Sequence, residues 1–172
     1  MFGFPQAGAG SGGVAPPVVA IIDAPITATI TLAALASGAA RQSVYLDNSV
    51  LMRPAAKVTL TIQTGGVAPT LGTIVELWLL RSSSQALAGL VGDDGTTSVD
   101  AAYPIPPTLP RNATLIGSLS VTANANTVFK ATFDTRAVGV LGDFYGFAVA
   151  NRTNQALNAA GNSVVVEAYT SS

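Results

Sequence analysis

Few side chains in this sequence have the types and spacing that chemistry needs. Asp93 and Asp94, followed by Gly95 and later Asp100, form its one acidic cluster. Calcium wants several oxygen ligands on a tight turn. The spacing does not match an EF-hand loop, and Asp-Gly makes a turn without any metal. Ser82, Ser83 and Ser84 form a hydroxyl run, but the chain has no His, so a Ser-His-Asp relay cannot be assembled. A Ser-Lys pair would need Lys57 or Lys130, and both fall on outward faces of expected strands. Glu76 and Glu167 are the carboxylates from which a glycosidase pair would be built, yet each reads better as a charge on an outer strand face.

Other patterns are equally bare of chemistry. The glycines of residues 8–13 lack the Lys, the preceding strand and the following helix of a phosphate loop. Trp78 with Tyr45, Tyr103, Tyr145 and Tyr169 would suit a sugar platform, although a lone Trp in an apolar strand is more often core. Asn112-Ala113-Thr114 and Asn151-Arg152-Thr153 match the N-glycosylation triplet, which arises often by chance. These readings leave no catalytic residue, no cofactor and no metal ligand, and no enzyme is expected.

Composition narrows the partners. The chain has 172 residues, with eight Lys and Arg against nine Asp and Glu, and no Cys. A net charge of −1 gives no electrostatic case for nucleic acid or an anionic membrane. The absence of Cys excludes disulfides and thiolate metal sites. Charged residues are 10% of the chain, where ordinary soluble domains have roughly 25%. So sparse a charge points either to a surface covered by another protein or to a neutral Thr, Ser, Asn and Gln surface. No secretory leader or membrane span is expected. The first basic residue is Arg41, and the apolar stretch 14–35 is broken by Pro16, Pro17, Asp23 and Pro25.

The elements that must position any site read as strands. Residues 1–25 form an uncharged Gly, Ala and Pro-rich arm until Asp23, and Phe2, Phe4, Val18, Val19 and Ile21 are candidate docking anchors within it. From residue 26 to 172 a single domain follows, with a period of two. Residues 26–32 set Ile26, Ala28, Ile30 and Leu32 against Thr27, Thr29 and Thr31. Residues 57–63 set Val58, Leu60 and Ile62 against Lys57, Thr59, Thr61 and Gln63. Residues 73–80 are apolar on both faces except at Glu76, as in a central strand. In 114–122, Leu115, Leu119 and Val121 share one face and Ile116 sits on the other. In 127–133, Phe129, Ala131 and Phe133 point inward. Stretches 42–46, 145–149 and 164–169 bring the count to about eight. Turn residues separate them, which predicts an all-β fold: an antiparallel β-sandwich, jelly-roll-like, with an extended N-terminal arm. A long loop at 81–112 interrupts the rhythm, with a helical turn or two expected in 83–91 and an extended Pro-rich stretch after it. Tyr103 and Ile105 are its candidate contact residues.

Four stretches carry a resemblance: LASGAARQSVYLDNSVLMRPAAKVTLTIQTG (35–65), GTIVELWLLRS (72–82), LIGSLSVTANANTVFKATFDT (115–135) and LGDFYGFAVANRTNQALNAAGNSVVVEAY (141–169). Together they resemble small β-sandwich structural proteins from the virion modules of tailed bacteriophages. The likeness spans roughly residues 30–170 and rests on order and texture: an Ala-Arg-Gln-Ser lead-in, an Asp-Asn turn, a Pro-Ala approach to a strand, and an Ala-Val-x-Asn-Arg-Thr strand end. It brings no catalytic residues with it. It implies a non-enzymatic part of the virion, assembled in the host cytoplasm. The expected role is a head decoration or cement protein that binds the major capsid protein, as a homo-oligomer and most commonly a trimer. A neck, tail or fibre-associated protein is the alternative. A carbohydrate-binding sandwich is a further one and would need Trp78 or Tyr103 to be accessible.

Overall fold

A computed structural model describes residues 21–82, 98–103 and 113–170. In chain order the strands are β1 (Ile26–Thr27), β2 (Ala40–Gln42), β3 (Leu46–Asp47), β4 (Ala55–Gln63) and β5 (Ile74–Ser82), then β6 (Ala101–Tyr103), β7 (Ala113–Ser120), β8 (Val128–Asp134), β9 (Phe144–Arg152) and β10 (Ser163–Tyr169). One 3₁₀ turn, Thr135–Val138, follows β8. The strands form two antiparallel sheets, one ordered β1-β10-β4-β8 and the other β6-β2-β9-β5-β7, with β3 also on β9. The expected all-β antiparallel sandwich is what the chain forms.

The period of two explains how the sheets meet. Val58, Leu60 and Ile62 of β4 and Val164 and Val166 of β10 face Val75, Leu77 and Leu79 of β5 and Phe147 and Val149 of β9. All are buried, and Phe129, Ala131 and Phe133 of β8 pack against them from the edge. Strands β5 and β9 lie inside their sheet, as the two-sided apolar pattern of 73–80 predicts for a central strand. The outer face of the same sheet carries a second apolar cluster of Ala40, Tyr45, Leu80, Tyr103, Ala148 and Ala150.

Several elements differ from expectation, each for a local reason. Residues 26–32 do not form one long strand. The Ala28 amide still donates to Val164 in one sheet (2.9 Å), but the Thr29 carbonyl already accepts from Val44 (2.9 Å). The chain is therefore crossing between the sheets. The expected strand 42–46 is split into β2 and β3. Between them Ser43 donates its amide to the Phe147 carbonyl (2.8 Å) and accepts the Phe147 amide on its hydroxyl (2.9 Å). In β7 the phase slips: Leu77 faces Gly117, whereas Trp78 faces Leu115, so Ile116 is the extra residue of a bulge. Ile116 thereby packs against the core and Leu115 is exposed, the reverse of the simple alternation.

Parts of the expected arm and of the expected long loop pair with strands. Ile22 bridges Tyr169, the Asp23 amide donates to Ala168 (2.8 Å), and the Thr170 amide donates to Ile21 (2.9 Å). Residues 21–23 thus already run beside the end of β10. The span 81–112 contains the end of β5 and all of β6. The helical turns expected in 83–91 lie outside the described residues.

Candidate functional site

The distinctive surface is one end of the sandwich, built around the turn from Asp47 to Pro54. Asn48 is buried and pins the turn from inside. Its side-chain NH₂ donates to the Arg53 and Gly142 carbonyls (both 2.9 Å), and its Oδ1 accepts the Arg53 amide (2.8 Å). The Met52 amide donates to the Asn48 carbonyl (2.7 Å). The Asp47 carboxylate accepts the amide and hydroxyl of Ser49 (2.9 and 2.7 Å), which hold its pKa below the ordinary carboxylate value. These bonds fix Met52 at φ 47, a left-handed conformation that costs a non-glycine residue about 1–2 kcal/mol. The tip presents Val50, Leu51 and Met52 outward, at 86%, 57% and 69% exposure.

Other apolar side chains gather at this end. Met52, Pro54 and Val140 border a recess of about 210 Å³ that also touches Asp143. Ile26 and Leu51 border a second recess, of about 110 Å³, that touches Asp47 and Tyr145. Ile21 and Ile22 are exposed nearby, where Asp23 pairs with Arg53 (2.6 Å). The Arg53 hydrogen bond, opposed in part by burial, holds the Asp23 carboxyl below its ordinary value. Burial, aided by the Asp23 carboxylate, pushes the Tyr145 hydroxyl up to about 12. The arrangement offers rigid apolar surface with carboxylates at its margin, which suits protein contact.

The other candidate residues are dispersed or structurally engaged. Of the expected contact residues, Phe2, Phe4, Val18, Val19 and Ile105 lie outside the described residues. Ile21 is exposed at the apolar end. Tyr103 was expected at a contact surface and is instead buried in the outer cluster with Ala40 and Ala148. A sugar platform through Tyr103 is closed for the same reason. Trp78 is half-buried beside that cluster and donates its indole NH to Glu76 (3.2 Å).

Glu76 and Glu167 do not meet. They stand on the outer faces of opposite sheets, separated by the core, and Glu76 pairs with Arg152 (3.4 Å). Lys57 and Lys130 lie on the outer face of the sheet that does not contain Ser82, so no Ser-Lys pair forms with that serine. Ser83 and Ser84 lie outside the described residues. So do Asp93 and Asp94, while Asp100 accepts from Thr31 and pairs with Arg41 (both 2.5 Å). Burial raises the pKa of that carboxyl, but the bonds from Thr31 and Arg41 outweigh it and the net shift is downward. Among the described residues no three His, Cys, Asp or Glu side chains are placed to hold a metal ion.

Asn151, in a glycosylation triplet, is fully buried. Its NH₂ donates to the Leu35 and Gln155 carbonyls (both 2.8 Å), and its Oδ1 accepts the amide and hydroxyl of Thr153 (3.0 and 2.7 Å). The triplet is a loop anchor. Asn112 lies outside the described residues.

Sequence reasoning passed over Val50, Leu51, Met52 and Val140. The available signal was an apolar triplet set between the turn residues Asp47-Asn48-Ser49 and Arg53-Pro54, where a solvated turn would be polar. No family model matches the chain, and no curated protein matches it.

Proposed function

We propose that this chain is a non-enzymatic structural protein of a tailed-bacteriophage virion, a head decoration or cement protein that binds the outside of the capsid and bridges coat subunits. The observation that carries this reading is the rigid apolar end around Val50, Leu51 and Met52 on a chain with so few charges. Such surface is costly to leave in water and is stabilised by burial against a partner. The strand order supports the reading too. Main strands alternate between sheets as β1-β10-β4-β8 and β2-β9-β5-β7, an order we read as a jelly roll, an architecture common in viral capsid domains. The resemblance of the four sequence stretches points the same way.

The mechanism is clamping. Each contact is weak, and a homo-oligomer multiplies several of them into tight attachment. Residues 1–20, with Phe2, Phe4, Val18 and Val19, supply further apolar contacts to the major capsid protein in this reading. Deleting residues 1–20 should leave a folded domain, because the described pairing beside β10 is made by residues from Ile21 onward, and should abolish particle binding. Normal occupancy by the truncated chain would overturn the role of the arm.

The deciding experiment is copy number per purified particle, by quantitative mass spectrometry against the coat protein. A ratio of the same order as the coat protein is expected. A ratio set by a single vertex would assign the chain to the neck, tail or a fibre, and absence from the particle would overturn the virion reading.

A further inference from the structure

The apolar tip carries charge at its margin. Asp47 and Asp143 are exposed on either side of the tip, one at each recess. Neither has an ion pair among the described residues. Two tips facing each other would therefore set like charges together, which disfavours a symmetric tip-to-tip contact. A complementary surface must offer apolar area and a free cation.

Among the described residues, Arg41, Arg53, Arg136 and Arg152 are in ion pairs, and Arg81 donates to the carbonyls of Val138 and Val140. Lys57 and Lys130 remain, both on the outer face of the four-stranded sheet. Lys57 lies between Asp134 and Glu167 in the ladder, so its charge is locally offset. Lys130 lies opposite Thr61 on the edge strand β8. Along the same face of β8 stand exposed Val128 and Thr132. The Thr132 hydroxyl bonds that of Thr59 (2.9 Å), giving a neutral surface beside the cation.

We propose that the tip of one copy docks on the β8 outer face of a second copy, with Val50, Leu51 and Met52 over Val128 and Thr132, and Lys130 beside Asp143. The contact is head-to-tail, so each copy keeps one tip and one β8 face in use. Repetition closes a ring if the rotation between copies permits it. The pinned turn loses little freedom on docking, which favours association. The proposal deepens the homo-oligomer part of the virion reading but rests on surface chemistry that exists with or without a particle. Copy number on particles tests that reading, and self-association of the isolated chain tests this one.

The chain has no Cys, so engineered cysteines report without background. Two single variants, Met52→Cys and Thr132→Cys, are mixed as full-length proteins and oxidised. A disulfide between the two different variants is expected. Cross-links only between two Met52→Cys chains, or no cross-link at all, would overturn the contact. Sedimentation equilibrium gives a second readout at exposed sites that leave folding intact. Lys130→Glu and Asp143→Lys should each weaken self-association about tenfold or more at low salt, and the double variant should recover it. Unchanged association in both single variants, or a wild-type chain that sediments as a monomer at its highest soluble concentration, would also overturn the proposal.

Discussion

At the scale of single residues, buried polar groups decide more than charges do. Asn151 satisfies two carbonyls and accepts from an amide and a hydroxyl while fully buried. Replacing it by Ala leaves those groups without partners, so Asn151→Ala should destabilise the fold by about 2–3 kcal/mol, read from the urea midpoint. Tyr145 sets a limit on the alkaline side. Its folded pKa is raised to about 12, above the value near 10 of an unfolded phenol. The contribution is intact below about pH 10 and is lost as pH rises toward about 12. The melting temperature of Tyr145→Phe should therefore fall less steeply than that of the wild type between about pH 10 and 12. Asp23 works in the other direction. Its lowered folded pKa gives stability that is present above the unfolded value and is lost as pH falls through the folded one.

At the scale of elements, the bulge in β7 is the informative departure. Alternation alone would bury Leu115 and expose Ile116, and the extra residue reverses both. The bulge also places Gly117 under the Phe133 ring of β8, where a Cβ would come within 2.5 Å of Cε1. Gly117→Ala should cost about 1–3 kcal/mol through overpacking, measured by chemical denaturation. Phe133→Leu in the same chain should recover part of that loss. No loss in Gly117→Ala would mean that the ring moves aside freely. β1 makes the same general point in reverse. Its apolar alternation continues to Leu32, but hydrogen bonding to β10 stops once the Thr29 carbonyl serves Val44.

At the scale of the whole molecule, the interleaved strand order determines how the chain must fold. β1 pairs with β10, β4 with β10 and β8, and β9 with β2 and β5, so most ladders join distant segments. Closing such contacts is slow because loop entropy is lost before the contacts form. Refolding followed by Trp78 fluorescence should take on the order of milliseconds to seconds, slower than a helical bundle of similar size. A microsecond phase carrying the full amplitude would contradict the non-local topology. The same order brings the start of β4, the start of β9 and the end of β10 to one end of the sandwich. There the turn at 48–53 and the stretch at 139–143 are tied together by Asn48.

The sequence by itself determined the class of fold and the inward face of most strands. Side chains alternate with period two whatever their neighbours, so Val58-Leu60-Ile62 and Phe129-Ala131-Phe133 could be assigned to the core before any partner strand was known. It also determined that no His-dependent or thiolate chemistry is available, since those depend on residue type alone. Only the tertiary structure decided where alternation breaks, because the bulge at Ile116 and the split at Ser43 depend on register with β5 and β9. It likewise separated Glu76 from Glu167 and turned Asn151 inward. Above all, it raised Val50, Leu51 and Met52 into solvent. An apolar triplet reads as buried until the hydrogen bonds of Asn48, formed with segments close and far in sequence, hold it outside the core.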